Sequence, residues 1–565
     1  MTVARHFKFW PSYAAPELHA PATNLYYNVE VSAHRYPEKP YVIFYDTPVT
    51  FREFHDETQK IAGFLEQRCG VSRGDRVMLL MQNSPQFMLG YYGILRANAV
   101  VVPLNPMNLT QEILKFAKDC DSSTLLVSQE LYPRIEPLIK SGQIKQVIVA
   151  AYSDYLKQPT ALSVPEFISA PRIEIKESGV SLWHEVLAAN LSPGPLLQGP
   201  DDLCVMPYTS GTTGQPKGVM HSHRTVMHTT VASMVWFALQ PEMTLLAVAP
   251  MFHVTGMQGG MNGPLYIGCT LVLLPRWDRD TAAKCVHRYK ITSWTAVPTM
   301  IQDFFLNPNL DQYDISSIRR LSGGGAAMPA AVAQRLKTMG VTYIEGYGLT
   351  ETIAATHINP MEHPKAQCLG IPIYGVESRV VDPGTLKELP PGETGEILIH
   401  GPQVMLGYWN KPKDTAEVFV ELDGKRFFRS GDLGKMDEDG YFFIVDRLKR
   451  MINCSGFKVW PTEVENLMYQ HPAVQEACVI AAKDAHRGET VKAVIVLKAA
   501  FVGQASAQEI VDWAREHMAA YKAPRLVEFV EALPKSGSGK IMWRELQERE
   551  NAAEANRSQA AQVTT

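Results

Sequence analysis

The chain has 565 residues, 46% hydrophobic and 20% charged, a composition that excludes a disordered or membrane-filling polypeptide. Its length exceeds one ordinary domain and suggests roughly two to four. Lys plus Arg number 54 against 58 Asp plus Glu, a formal net charge of -4. That balance argues against nucleic acid as a partner, because backbone-phosphate binders carry a basic excess; small anions need only a few local charges.

In chain order, Thr50–Glu66 has helical apolar spacing and Arg76–Met81 is a short apolar strand. Pro85–Ala97 is again helical, Ala99–Val102 is a buried strand, and Thr124–Val127 and Gln146–Ala150 repeat the short strand pattern. Thr270–Leu274 (strand), Asp280–Tyr289 (helix) and Ile291–Val297 (strand) repeat the unit, as do Met328–Met339 (helix) and Val341–Ile344 (strand). Strands alternating with helices predict α/β layers with mostly parallel sheets. The last ~120 residues differ and predict a compact α+β unit. Its elements are helix Glu463–Tyr469, strands Val474–Ala482 and Val491–Lys498, helix Gln508–Met518 and strand Arg525–Phe529. The charged stretch Asp446–Arg450 marks the boundary, giving domains 1–446 and 447–550. The Ala-, Gln- and Asn-rich tail 551–565 is expected to be disordered.

The longest apolar stretches, near Val231–Leu239 and Leu265–Leu274, fall short of the ~18 residues that span a bilayer. Met1–Trp10 holds no secretory core, and the eight cysteines include no C-x-x-C pair. Both features predict reduced, buried thiols in a cytoplasmic protein.

Four segments carry chemistry. Tyr208-Thr-Ser-Gly-Thr-Thr-Gly-Gln-Pro-Lys-Gly218 sets four small hydroxyl residues, three glycines and a lysine within eleven positions. Glycines turn backbone N–H groups toward an anion, hydroxyls add donors and lysine adds charge, as a polyphosphate cradle requires. It is not a Walker A loop, since Pro216 and Gly218 stand where that pattern needs glycine and Ser or Thr. In Glu345-Gly-Tyr-Gly-Leu-Thr-Glu-Thr352 an aromatic between glycines can lie against a purine, and a hydroxyl beside a carboxylate can contact phosphate and hold Mg²⁺; a plain strand-end turn is the alternative. Ser430-Gly-Asp432 with Asp446-Arg447 offers a carboxylate for a ribose diol, although three residues alone also describe an ordinary turn. Pro534-Lys-Ser-Gly-Ser-Gly-Lys540 offers a lysine on a flexible arm, or a solvated basic loop.

Taken together and in this order, the four segments resemble those of the adenylate-forming superfamily, which includes acyl-CoA synthetases, adenylation domains of peptide synthetases and firefly-type luciferases. The likeness runs from about Asn24 to Leu546. Gly440–Arg447 leading to Ser455-Gly-Phe-Lys-Val-Trp-Pro-Thr-Glu-Val-Glu465 is similar to bacterial medium- and long-chain fatty acid–CoA ligases. Arg450, where many members are acidic, and Lys458, where many carry Asn or Glu, depart from that pattern.

The resemblance implies a large N-terminal domain of layered, mostly parallel sheets and helices with a smaller β-rich subdomain, plus a small mobile α+β C-terminal domain. It implies an AMP-forming acid–thiol ligase that makes an acyl-adenylate with release of pyrophosphate and then transfers the acyl group to CoA. By the same resemblance Thr209, Ser210, Gly211, Thr212, Thr213, Gly214 and Lys217 hold phosphates. Thr350 meets the α-phosphate and Glu351 binds Mg²⁺. Gly323, Gly324, Gly325, Gly346, Tyr347 and Gly348 border adenine and the acyl carbonyl, and Asp432 with Arg447 holds ribose. Lys540 is the catalytic lysine, and Lys449 the hinge about which the C-terminal domain turns. Ser455, Gly456 and Lys458 meet CoA. His253, Gly256 and Met257 lie at the acyl site, where His253 reads as a core or gating side chain with no proton-transfer role ahead of a catalytic one. The stretch Thr255–Gly263 reads either as acyl-tunnel lining or as a closely packed glycine-rich helix. The expected partners are ATP, CoA and a fatty acid. Peripheral contact with the inner membrane face and a homodimer are compatible with the resemblance. The rival readings are a ligase for aryl or short branched acids, a ligase that passes the acyl group to a carrier protein, and a non-catalytic binding homologue.

Overall fold

Residues 76–80 illustrate how the sequence builds its layers. Every position after Arg76 is apolar and buried, and alternate side chains leave a strand on opposite faces. Val77 and Leu79 accordingly join one hydrophobic core, whereas Met78 and Leu80 join another. A strand apolar on both faces belongs inside a covered parallel sheet. The computed structural model describes residues 5–209, 216–324, 330–454, 457–484, 488–536 and 541–563. It forms two compact units. The first comprises 1–378, 399–428 and 439–441, and the second comprises 379–398, 429–438 and 442–565. The charged stretch 446–450 lies inside the second unit.

The first unit holds two nine-stranded sheets. In one, Pro40–Phe44, Thr270–Leu273, Thr244–Ala247, Ser293–Thr295, Arg320–Gly324 and Thr342–Leu349 lie side by side and parallel. Antiparallel strands close both edges, Thr47–Thr50 at one and Ala354–Ile358 followed by Ile371–Pro372 at the other. In the second sheet, Val180–Leu182, Gln146–Ala150, Thr124–Ser128, Arg76–Leu80, Val100–Pro103 and Leu203–Val205 are parallel neighbours. Lys217–Ser222 then adds antiparallel. Helix Phe51–Gln67 starts at a capping box between Thr50 and Glu53, and Pro85–Arg96 starts at Ser84 with proline in its first turn. Every residue of Pro85–Leu95 is buried, as expected of a helix within the core that holds residues of both sheets.

The second unit contains a sheet of its own. Val474–Asp484 and Gly488–Leu497 form a long antiparallel hairpin, and Leu526–Phe529 runs parallel to the latter strand. Ala477 and Val479 face a core shared with the helices Pro461–Met468 and Ala507–His517, while Cys478 and Ile480 face Leu533 and Leu546. The final helix spans Trp543–Val563 and so runs through the segment expected to be disordered. It contains neither Gly nor Pro and is rich in Ala, Glu, Gln and Arg, all good helix formers. The eight cysteines are free, all buried except the half-buried Cys69. Among the described residues no helix is long and apolar enough to cross a membrane.

Candidate active site

The first chemical segment is pinned at both ends. Strand Tyr208–Thr209 pairs antiparallel with Lys217–Ser222, placing Thr209 opposite Lys217 and Tyr208 opposite Gly218. The two paired strands bracket the hydroxyl-rich stretch in sequence. Ser210, Gly211, Thr212, Thr213 and Gly214 lie outside the described residues. Lys217 is 7% exposed. Its ammonium pairs with Asp414 and sits 5.0 Å over the ring of Tyr408, an attraction between cation and aromatic face. The pairing holds the Asp414 carboxyl below the usual carboxylate range.

The second segment runs along a strand and off its end. Thr342–Leu349 lies parallel to Arg320–Gly324, with Gly323 opposite Glu345 and Gly324 opposite Gly346. Thr350–Thr352 then makes one 3-10 turn before Ala354–Ile358 returns antiparallel. Gly348 is required there, because a Cβ would lie 1.8 Å from the Ala354 carbonyl oxygen. The Tyr347 ring faces His357 at 5.6 Å between centroids.

Tyr408 joins the two segments. Its hydroxyl donates to Glu351 Oε1 at 2.9 Å, and burial and that carboxylate together push the phenol well above its ordinary range. The Met405 N–H donates to the Glu351 carbonyl at 2.8 Å. The buried His221 ring makes a 2.7 Å hydrogen bond from Nε2 to the Thr350 carbonyl, and burial lowers its pKa to about 4. Nε2 is therefore the protonated nitrogen of a neutral ring. Lys217, Tyr408, Glu351 and Thr350 thus form one constellation, a cation above a ring whose hydroxyl holds a carboxylate. Tyr408, Asp414 and His221 were not singled out in the sequence. Tyr408 meets the motif through the pairing of Gly407–Tyr408 with Lys217–Ser222, Asp414 from the helix Pro412–Glu417 that follows, and His221 from the strand of Lys217 itself.

At the expected acyl site, His253 caps the helical turn Val254–Met257, its Nδ1 facing the Thr255 N–H at 3.4 Å. The helix continues through a π-turn at Gln258–Asn262 into Gly263–Ile267. Gly256 packs against backbone, with a Cβ there only 2.2 Å from the Pro250 carbonyl oxygen. Met257 is fully buried and 3.6 Å from the Tyr91 hydroxyl. Close packing is the use this segment makes of Gly256.

The second unit brings Asp432 and Arg447 together. Lys425–Met436 pairs with Phe442–Arg447 so that Asp432 stands opposite Arg447, and Arg447 Nε is 2.9 Å from Asp432 Oδ1. Asp432 is 1% exposed, whereas the Arg447 side chain is half exposed. Lys449 belongs to the 3-10 turn Leu448–Arg450, and Lys458 to strand Phe457–Val459. Gly325, Ser455, Gly456 and Lys540 lie outside the described residues. The unexpected Arg450 is an anchor. Its guanidinium bonds Glu465 Oε1 at 2.5 Å and the Val479 carbonyl at 3.1 Å, and lies 5.6 Å from the Trp543 ring centre.

The layered, mostly parallel fold is that of a nucleotide-activating ligase. The chain belongs to the AMP-binding enzyme family, whose model matches residues 29–409, and the model of its C-terminal domain matches 463–540. Its class is that of the AMP-forming acid–CoA ligases. It is similar to a long-chain-fatty-acid–CoA ligase of Bacillus subtilis (strain 168), 34% identical over 551 residues, covering 96% of this chain and 97% of the relative. A feruloyl-CoA synthase of Amycolatopsis sp is 34% identical, covering 89% and 94%. Among solved structures, an anthranilate CoA ligase in complex with anthranoyl-AMP matches with TM-score 0.80 and 28% identity, covering 94% of this chain and 98% of that one.

Proposed function

We propose that the protein is an ATP-dependent fatty acid–CoA ligase. A carboxylate is a poor electrophile, because its leaving group would be oxide; joining it to AMP replaces oxide by a stabilised phosphate. That step depends on positioning and charge neutralisation. The observation that carries the reading is the constellation of Lys217, Tyr408, Glu351 and Thr350. Lys217 and the loop hydroxyls would hold the β- and γ-phosphates, and Thr350 the α-phosphate. Asp432, aligned by Arg447, would accept the ribose hydroxyls. Lys540 would neutralise the charge that develops between the carboxylate and the α-phosphate. For the second half-reaction the C-terminal domain would turn about Lys449, bringing Ser455, Gly456 and Lys458 to CoA.

Mg²⁺ fits the donor set. Among the described residues no group of three His, Cys, Asp or Glu could cage a metal, but Mg²⁺ usually takes one or two carboxylates and completes its shell with phosphate oxygens and water. Glu351, its Oε1 held by Tyr408, would supply that carboxylate. The ion would neutralise phosphate charge.

A fatty acid is favoured by the Bacillus subtilis relative, which matches almost end to end. The second reading, an aryl acid, is favoured by the feruloyl-CoA synthase relative. A panel from acetate to palmitate, with benzoates and cinnamates, decides between them by CoA-dependent AMP release. The proposal expects the highest kcat/KM with a medium- or long-chain acid; a benzoate or cinnamate preferred over every fatty acid would overturn it.

A further inference from the structure

The parallel strands that carry Gly323, Gly324 and Gly346 at their C-terminal ends carry another feature at the opposite edge. Thr244–Ala247, Ser293–Thr295, Arg320–Gly324 and Thr342–Leu349 run in register, so their first residues gather along one side of the sheet. There a cavity of about 180 Å³ is lined by Met243, Thr292, Arg319, Arg320, Thr342 and Met361. Arg320 is only 9% exposed. Its Nη1 donates to the Phe237 carbonyl and approaches Met361 Sδ at 3.6 Å, while Nη2 meets Met243 Sδ at 3.2 Å. Phe237 caps helix His223–Trp236, so one donor serves a helix C-terminus. Thioether sulfur is a weak acceptor and satisfies the rest poorly. No carboxylate pairs with Arg320 among the described residues. Burial lowers the proton affinity of the guanidinium, opposed by the Tyr13 phenol and the Cys269 thiol. A buried cation left without a counter-charge is costly. The exposed Arg319 borders the same cavity, and the threonine hydroxyls add polar groups on its wall.

We propose that this cavity binds a phosphate-class oxyanion, held by Arg319 and Arg320 with the Thr342 hydroxyl. The planar guanidinium fork matches phosphate oxygens in pairs, and the anion supplies the charge that Arg320 lacks. The volume is many times what one water needs, enough for phosphate with residual waters. The site lies four residues from Gly324 along one strand, roughly 13 Å, and is separate from Lys217 and its loop. Occupancy would brace the strand that presents Gly323 and Gly324.

The test uses the full chain and inorganic phosphate and pyrophosphate as probes, against chloride at equal ionic strength. Binding is read by calorimetry, and the thermal midpoint is followed in parallel. Arg319→Ala, Arg320→Met and Thr342→Val are compared with Lys217→Ala, which disarms the nucleotide loop. The proposal expects phosphate binding that persists in Lys217→Ala and weakens by ~10-fold or more in Arg319→Ala, the scale of one lost charged hydrogen bond. Should Arg320→Met fail to fold, the exposed Arg319 and the half-buried Thr342 still give the answer. Binding lost in Lys217→Ala and intact in Arg319→Ala would assign the anion to the nucleotide loop and overturn the proposal. Equal stabilisation of every variant would be salt exclusion from the surface and would overturn it too, as would no binding at all.

Discussion

The Tyr408 hydroxyl donates to the Glu351 carboxylate at 2.9 Å, and the same ring lies 5.0 Å beneath the Lys217 ammonium. One side chain thereby spaces the cation expected at the phosphates from the carboxylate expected at the metal. Tyr408→Phe keeps the ring under Lys217 and removes only the donor. A hydrogen bond to a charged group is worth about 1.5–3 kcal/mol, which corresponds to ~10- to 100-fold in rate. ATP–pyrophosphate exchange should fall by up to that amount, with a raised Mg²⁺ requirement and an unfolding midpoint lowered by the loss of the same bond. Full exchange activity in Tyr408→Phe would leave Glu351 independent of Tyr408.

Lys217→Met tests the other end of the same arrangement. The variant removes the cation and leaves Asp414 exposed enough to be solvated, its side chain being 32% accessible. Stability should change little, by about 1 kcal/mol, as for a partly exposed pair. The KM for ATP should rise at least ~10-fold, the equivalent of about 1.4 kcal/mol of lost phosphate binding. A stability loss with unchanged KM would make Lys217 a structural residue.

Gly346 and Gly348 look alike in the sequence and differ in the fold. A Cβ on Gly348 would lie 1.8 Å from the Ala354 carbonyl oxygen, whereas one on Gly346 meets nothing nearer than 3.5 Å. Gly348→Ala should cost about 3 kcal/mol or more through forced backbone movement, seen as a lower urea midpoint. Gly346→Ala should fold normally, so any loss of exchange activity there reports crowding of a bound nucleotide.

Layers and motifs were legible where local pattern decides them. The doubly apolar strands at 76–80 and 146–150 and the helices at 51–67 and 85–96 follow from periodicity and caps. Tyr408 and Asp414 were not legible. They reach Lys217 because Gly407–Tyr408 pairs with Lys217–Ser222 across nearly 190 residues of chain, with Val219 opposite Tyr408. The helix Trp543–Val563 follows from an unbroken run of helix formers, a local pattern that tail composition alone does not weigh. Arg450 stood out as a departure from the family pattern, but its partner Glu465 is set by the packing of helix Pro461–Met468 on strand Val474–Asp484.

His223 gives a stability prediction with a definite sign. Its Nδ1 accepts from the Leu25 N–H at 2.9 Å and its Nε2 faces Gln198 Oε1 at 3.0 Å, so the neutral ring is fully used. Burial lowers its pKa from 6.5 to about 4, with Asp202 opposing weakly. Between those values the unfolded chain binds a proton that the native state does not, and stability therefore rises with pH across that window. The contribution is fully present above pH 6.5 and lost as pH falls to 4, about 3 kcal/mol in all. Urea unfolding from pH 7 to pH 4.5 should show a steeper loss for the native chain than for His223→Asn. Parallel profiles would mean that His223 does not titrate on unfolding.

Arg450 shows how this chain accommodates a buried cation beside two carboxylates. Burial alone would lower its proton affinity, but Glu465 and Asp446 override this and the net shift is upward. The guanidinium ties the 3-10 turn Leu448–Arg450 to helix Pro461–Met468 through Glu465 and to strand Val474–Asp484 through the Val479 carbonyl. Arg450→Asp would set a third carboxylate beside Glu465 and Asp446, both nearly buried. Breaking a buried pair costs about 3–5 kcal/mol because a charge is left uncompensated. The second unit should then unfold at markedly lower urea. The double variant Arg450→Glu with Glu465→Arg restores opposite charges and should recover part of that loss, whereas Arg450→Lys, which keeps charge without the planar fork, should fall between. If all three variants unfold with the native chain, Arg450 is not the anchor of this turn.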